Sequence, residues 1–153
     1  MNLKQTIITA FIFLNTFETY AQDDSFNVFQ CAEIFGDSIT FLNDFDLYQA
    51  KRKTPEDLNG KIWEVYLIQD TEYRFALCSK DGINDKILRL FDDTVTEDNP
   101  YLSTGLKGKS NAFFDFKCTK SGIYKVSIRF KNPSMIGKEL RVIGLLGFIR
   151  KLN

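Results

Sequence analysis

Histidine is absent from the 153 residues, so the side chains with chemistry to offer are three cysteines and the carboxylates. Without imidazole there is no Ser-His or Cys-His nucleophile pair and no imidazole proton shuttle, and zinc loses its usual nitrogen ligand. Asp44, Asp46, Asp92 and Asp93 could give oxygen ligands to calcium at the rim of a secreted β-sandwich, and calcium is the one cofactor the sequence leaves open. Their spacing matches no defined calcium loop, and Asp81–Asp85 (DGIND) starts like one but lacks its later acidic ligand. Solvated strand ends are the competing account of the four aspartates. Paired carboxylates can also serve as acid and base on a glycosidic bond, but nothing in the sequence selects a pair, so a small carboxylate-dependent hydrolase is the least favoured reading.

Cys31, Cys78 and Cys118 allow one bridge and one leftover thiol in an oxidising compartment, with three pairings to choose from. If strands predicted at 72–79, 86–93 and 112–118 alternate in direction, Cys78 and Cys118 end at the same rim, which makes them the expected pair. Their parities disagree, because Cys118 follows the inward face of Phe114 and Phe116 while Cys78 follows the outward face of its strand. Three buried free thiols are the alternative.

The N-terminus bears on the compartment. Lys4 precedes an apolar run from Ile7 to Leu14, broken only by Thr9, and Thr19-Tyr20-Ala21 follows. This is the order of a secretory signal peptide cut after Ala21, and the run is well short of the roughly 20 residues a membrane span needs. A retained N-terminal anchor is the competing reading. No cysteine stands at the cut, so a lipoprotein is not expected. The expectation is a leader at 1–21 and one secreted or periplasmic domain at 22–153, with no transmembrane segment in the mature chain. Lys+Arg 20 balances Asp+Glu 20, which gives no reason to expect nucleic acid or an anionic membrane as partner.

The elements that must position these groups are strands. From Ala112 to Phe130 the apolar residues alternate: Ala112, Phe114 and Phe116, then Tyr124, Val126, Ile128 and Phe130, with Thr119–Gly122 as the turn. The opposite face carries Asp115, Lys117, Lys125, Ser127 and Arg129. Trp63, Val65 and Leu67 share a face, as do Tyr73, Phe75 and Leu77, and Leu88 and Leu90. The predicted core therefore centres on Trp63, Tyr73, Phe75, Phe114, Phe116, Tyr124, Val126 and Ile128. Ile39, Phe41, Phe45 and Leu47 share parity in a further strand, with Asn43 interrupting the face at a bulge. Ser25–Phe35 has apolar residues at helical spacing, which suits a short leading helix. The polar stretch 93–109 is read as a long loop, and 51–60 as a solvated one. From Leu140 the last strand is apolar on both faces, as expected if the N-terminal segment buries its second face, or if it docks a second chain. Two greasy sheets must cover each other, so the fold class is all-β, an antiparallel sandwich of about seven to nine strands.

The segments Tyr73 and Phe75, Leu88 and Leu90 with Asp92, and Ser121-Gly122-Ile123-Tyr124 resemble the repeating signature of bacterial pre-peptidase C-terminal domains and related exported jelly rolls. The resemblance covers about half of the mature chain and its motifs are structural, Gly122 suiting a positive-φ turn and Tyr124 opening a strand. Such domains usually carry a glycine before the Tyr-Phe strand, where this chain has Asp70-Thr71, and usually accompany a secreted enzyme. The resemblance implies a jelly-roll-like sandwich and non-catalytic contact with protein, polysaccharide or the cell surface. The expected function is a secreted, non-enzymatic module that recognises an envelope glycan or protein through outward aromatics, Tyr48, Tyr66 and Phe113, with Tyr101 in the long loop. The alternative is an assembly subunit that docks through its apolar last strand.

Overall fold

The computed structural model of the chain describes residues 28–49, 60–80, 82–104, 112–131 and 140–152. The expected leader at 1–21 and most of the charged loop at 51–60 lie outside the described residues. A short helix α1 (Val28–Ala32) runs into a 3₁₀ turn (Glu33–Phe35), and eight strands follow: β1 (Thr40–Gln49), β2 (Lys61–Leu67), β3 (Thr71–Ser79), β4 (Lys86–Phe91), β5 (Leu102–Ser103), β6 (Phe113–Cys118), β7 (Gly122–Phe130) and β8 (Leu140–Lys151). They form two antiparallel four-stranded sheets, sheet A in the order β1-β8-β3-β6 and sheet B in the order β2-β7-β4-β5. First pairs with last, second with seventh, third with sixth and fourth with fifth, the nested wind of a jelly-roll-like sandwich. The all-β class is thus as expected. β5 is a correction, since Leu102 and Ser103 pair with Leu90 and Arg89 inside what the sequence presents as a long loop.

Alternation builds the main core. Phe45, Leu47, Tyr73, Phe75, Leu77, Val142 and Leu146 point from sheet A toward Val65, Leu67, Leu88, Leu90, Tyr124, Val126 and Ile128 of sheet B. Trp63, Phe114 and Phe116 pack against this cluster from partly buried positions. The Phe75 and Phe114 rings stack at 5.4 Å between centroids, and Phe45 meets Trp63 at 5.6 Å. Lys86 occupies an inward position at the start of β4, its ammonium held by Gly82 O and Asp85 Oδ1, each at 2.8 Å.

The β1 pattern needs a correction. The register slips between Phe41 and Asn43, so the strand carries an extra residue and its side chains change face there. Ile39 lies against Phe35 on the outer side of sheet A, whereas Phe45 and Leu47 point inward, and Phe41 is exposed.

A second, smaller core forms on the outer face of sheet A. Cys31 and Phe35 pack on Ala76, Ile143 and Leu145, flanked by Val28, Ile34, Ile39 and Cys78. Both faces of β8 are covered in this way, and β1 and β3 bond both of its edges. The strand expected to dock a second chain is thus an interior strand of sheet A whose edges and faces are occupied within this chain. The disulfide corrects the expected pairing: it joins Cys31 to Cys78, and Cys118 is free and buried in the main core. The parities explain this, since Cys78 faces outward under the helix while Cys118 faces inward.

Candidate binding surface

Sheet B leaves apolar side chains in solvent where β2 pairs with β7. Tyr66 and Ile123 sit directly opposite each other and are 67% and 59% exposed. Ile62 lies on the same face of β2, and Ile68 follows just past its end; both are exposed as well. The parity that sends Trp63, Val65 and Leu67 inward, and Tyr124, Val126 and Ile128 inward on the partner strand, sends these residues out. Glu64 faces Lys125 in the next cross-strand pair, so the apolar pair is edged by charge.

Ile123 also lines a recess of about 150 Å³ between the segment after β4 and the β6–β7 turn, shared with Asp92, Asp93, Thr94, Lys120, Ser121, Gly122 and Tyr124. The turn is braced where Gln69 N donates to Ser121 Oγ at 2.8 Å. On the other wall, Asp92 accepts hydrogen bonds from Thr94 N at 2.8 Å, Thr94 Oγ1 at 2.6 Å and Tyr101 OH at 3.0 Å. Burial pushes the Asp92 carboxyl up, and these bonds outweigh it and hold its pKa below the usual value. Asp93 takes Lys125 as its ion-pair partner.

The structure separates the four aromatics singled out by sequence. Tyr66 stands beside the recess through Ile123. Tyr101 reaches it through Asp92, but its ring is a plug, 6.1 Å from both Phe116 and Tyr124, where edge strands β5 and β6 meet. Tyr48 and Phe113 are exposed at the two opposite edges of sheet A. Phe113 carries the Arg74 guanidinium 4.1 Å over its ring, and Asp115 holds that guanidinium through two bonds of 2.6 and 2.7 Å. Sequence reasoning missed Ile123 and Ile68. The outward parity of Ile123 was available, but its place opposite Tyr66 depends on which strand neighbours β2.

The four aspartates proposed as calcium ligands also fall in two places. Asp44 and Asp46 lie on β1 of sheet A, with Asp46 paired to Arg141 at 2.9 Å, while Asp92 and Asp93 follow β4 of sheet B. Among the described residues no group of three or more His, Cys, Asp or Glu side chains could hold a metal ion. Glu97 is drawn below the usual carboxyl range by the Arg129 guanidinium, against the upward push of burial. A general acid needs the reverse, a carboxyl raised toward neutrality, so Asp92 and Glu97 are suited to accepting hydrogen bonds and ion pairs. What the β2–β7 face can do chemically is bind: an aromatic ring with a polar tip, aliphatic neighbours, and a rim of both charges.

No family model and no curated protein matches the chain. Among solved structures, the crystal structure of Aeromonas hydrophila PliG, a periplasmic lysozyme inhibitor of g-type lysozyme, is similar with a TM-score of 0.52 at 5% identity, over 71% of this chain and 87% of that one. The likeness is one of fold.

Proposed function

We propose that this chain is an exported, non-catalytic module that binds a protein of the cell envelope through the β2–β7 face, and that an envelope-degrading enzyme such as a lysozyme is the partner. The observation that carries the reading is the exposed Tyr66–Ile123 pair beside a polar-rimmed recess, with exposed Ile62 and Ile68 on the same side of sheet B. Export draws support from the Cys31–Cys78 bridge, since such bonds persist in oxidising compartments. The choice of partner draws support from the fold shared with a periplasmic lysozyme inhibitor.

The test is calorimetric titration of residues 22–153 against a g-type lysozyme, with an assay of peptidoglycan lysis alongside. Binding with inhibition, weakened about 30-fold or more by Tyr66→Ala, is the expected result, because a buried tyrosine anchor contributes about 2 kcal/mol or more. If no lysozyme binds, capture from envelope extract still tests the surface, and capture that Tyr66→Ala leaves unchanged removes this face from the account. Binding on a glycan array, abolished by Tyr66→Ala, would move the assignment from protein to sugar.

A further inference from the structure

We propose that the Cys31–Cys78 disulfide is a redox latch that closes a separable N-terminal cover, residues 28–39, over the outer face of sheet A. The cover rests on its own small cluster, Cys31, Phe35, Ala76, Ile143 and Leu145, distinct from the core between the sheets. Its helix has five residues and continues into three of 3₁₀, far below the ~12 residues at which an isolated helix becomes even marginal in water. Apolar contact and the covalent bond hold it to the sheet. The sheet beneath is complete without it, because the ladders of β8 run to β1 and β3.

The bridge is open to attack from one side. Cys31 is fully buried while Cys78 is only half-buried, so attack by a dithiol reductant is assigned to the Cys78 side of the bridge. Its thiolate bonds to that sulfur and displaces the Cys31 thiolate, which takes up a proton. The second thiol of the reductant then attacks the mixed disulfide, closes the reductant's own disulfide and releases Cys78 as a thiol, two electrons and two protons having passed to the protein. With the bond gone, the cover lifts and Ala76, Ile143 and Leu145, each 0% exposed beneath it, meet water. In a reducing compartment the chain is thus an uncovered sandwich, and in an oxidising one a covered sandwich. The binding face on sheet B plays no part in this.

The experiment is reduction of residues 22–153 under native conditions with dithiothreitol, read by thiol counting, limited proteolysis, a hydrophobic fluorescent dye and far-ultraviolet circular dichroism. The expected result is two fast-reacting thiols, Cys31 and Cys78, with Cys118 reacting only in denaturant, together with cleavage within 28–39, a gain in dye fluorescence and an unchanged strand spectrum. The Cys31→Ser/Cys78→Ser double variant should reproduce the open state without reductant. Reduction that leaves proteolysis and dye binding unchanged overturns the latch, because the cover then stays down unaided. Reduction or substitution that also exposes Cys118 and abolishes the strand spectrum overturns it too, since the cover would not be separable.

Discussion

Gly144→Ala tests how closely the two sheets are pressed. Gly144 lies on the inward face of β8 at the middle of sheet A, opposite Phe45 of β1 and Leu77 of β3. A Cβ there would stand 3.1 Å from Ile128 Cδ1, 3.1 Å from Leu88 Cδ1 and 3.2 Å from Phe45 Cδ2. Carbon atoms pack best at about 3.5–4.0 Å, so three contacts are each short by several tenths of an ångström. Two come from sheet B and one from sheet A, and all three side chains are at most 1% exposed, so no single one can swing into solvent. Overpacking of this kind costs about 1–3 kcal/mol, against about 0.4–1 kcal/mol returned by stiffening the unfolded chain. A net loss of about 1–2 kcal/mol lowers the urea midpoint by about 0.5–1 M at unchanged slope, and Tm by about 3–8 °C. A Gly144→Ala protein as stable as the parent would refute the close approach. Gly147→Ala is the internal control: its Cβ would meet Ile39 Cγ2 at 2.5 Å and Phe35 Cε2 at 3.0 Å, both parts of the N-terminal cover. That variant should loosen 28–39 to proteolysis and shift the urea midpoint less.

Three further outcomes follow from single contacts. Glu97 has its pKa lowered from 4.5, first by the Arg129 guanidinium, so its contribution to stability is present above pH 4.5 and is lost as pH falls through the lower folded value. Arg129→Gln should flatten the part of the stability profile that falls away below pH 4.5, measured by urea midpoint against pH. Lys86 is fully buried and depends on Asp85, so Asp85→Ala should cost about 3 kcal/mol while Lys86→Met, which removes the charge itself, should be near neutral; equal losses would refute the pairing. Asp70 holds a φ of 57°, a left-handed conformation that glycine adopts without a Cβ clash, and Asp70→Gly should raise stability by up to about 1 kcal/mol in the same assay.

The last case shows what was legible and what was not. The turn signature placed a positive φ at Gly122, but it falls at Asp70, one of the two residues that stand where the signature usually has glycine. Alternation made the inward residues of β3, β6 and β7 readable, Phe75, Phe114 and Val126 among them, but not the burial of Ala76 and Ser127 on the opposite parity. The apolar residues on both faces of β8 pointed to a second cover, and α1 supplies it. What local pattern could not carry was any outcome set by a distant neighbour. The bulge expected at Asn43 is there, but it reverses the facing of Ile39 relative to Phe45, which shared parity had put together, and the cysteine pairing depends on where the leading helix lands, 47 residues from Cys78. β5 pairs only Leu102 and Ser103, too short a run for any periodicity.

Long-range ion pairs and the cover take up much of the outer surface, leaving exposed apolar side chains at the β1 edge, Phe41, Leu42 and Tyr48, as well as at the β2–β7 end. On sheet A the outer face is taken by the cover and by the pairs Arg74–Asp115, Arg141–Asp46 and Arg150–Glu72. On sheet B the segment after β4 folds back, with Glu97 bridging Arg129 of β7 and Arg89 of β4. Tyr66 and Ile123 lie beyond these pairs, and their side chains stand mostly in water. Truncating a side chain that is 67% exposed removes little buried area, so Tyr66→Ala should move stability by no more than about 0.5 kcal/mol, or about 2 °C in Tm. Loss of binding at unchanged Tm is then assignable to contact with the partner. A Tm that fell by several degrees would mean that Tyr66 supports the fold, and the surface would lose its best candidate.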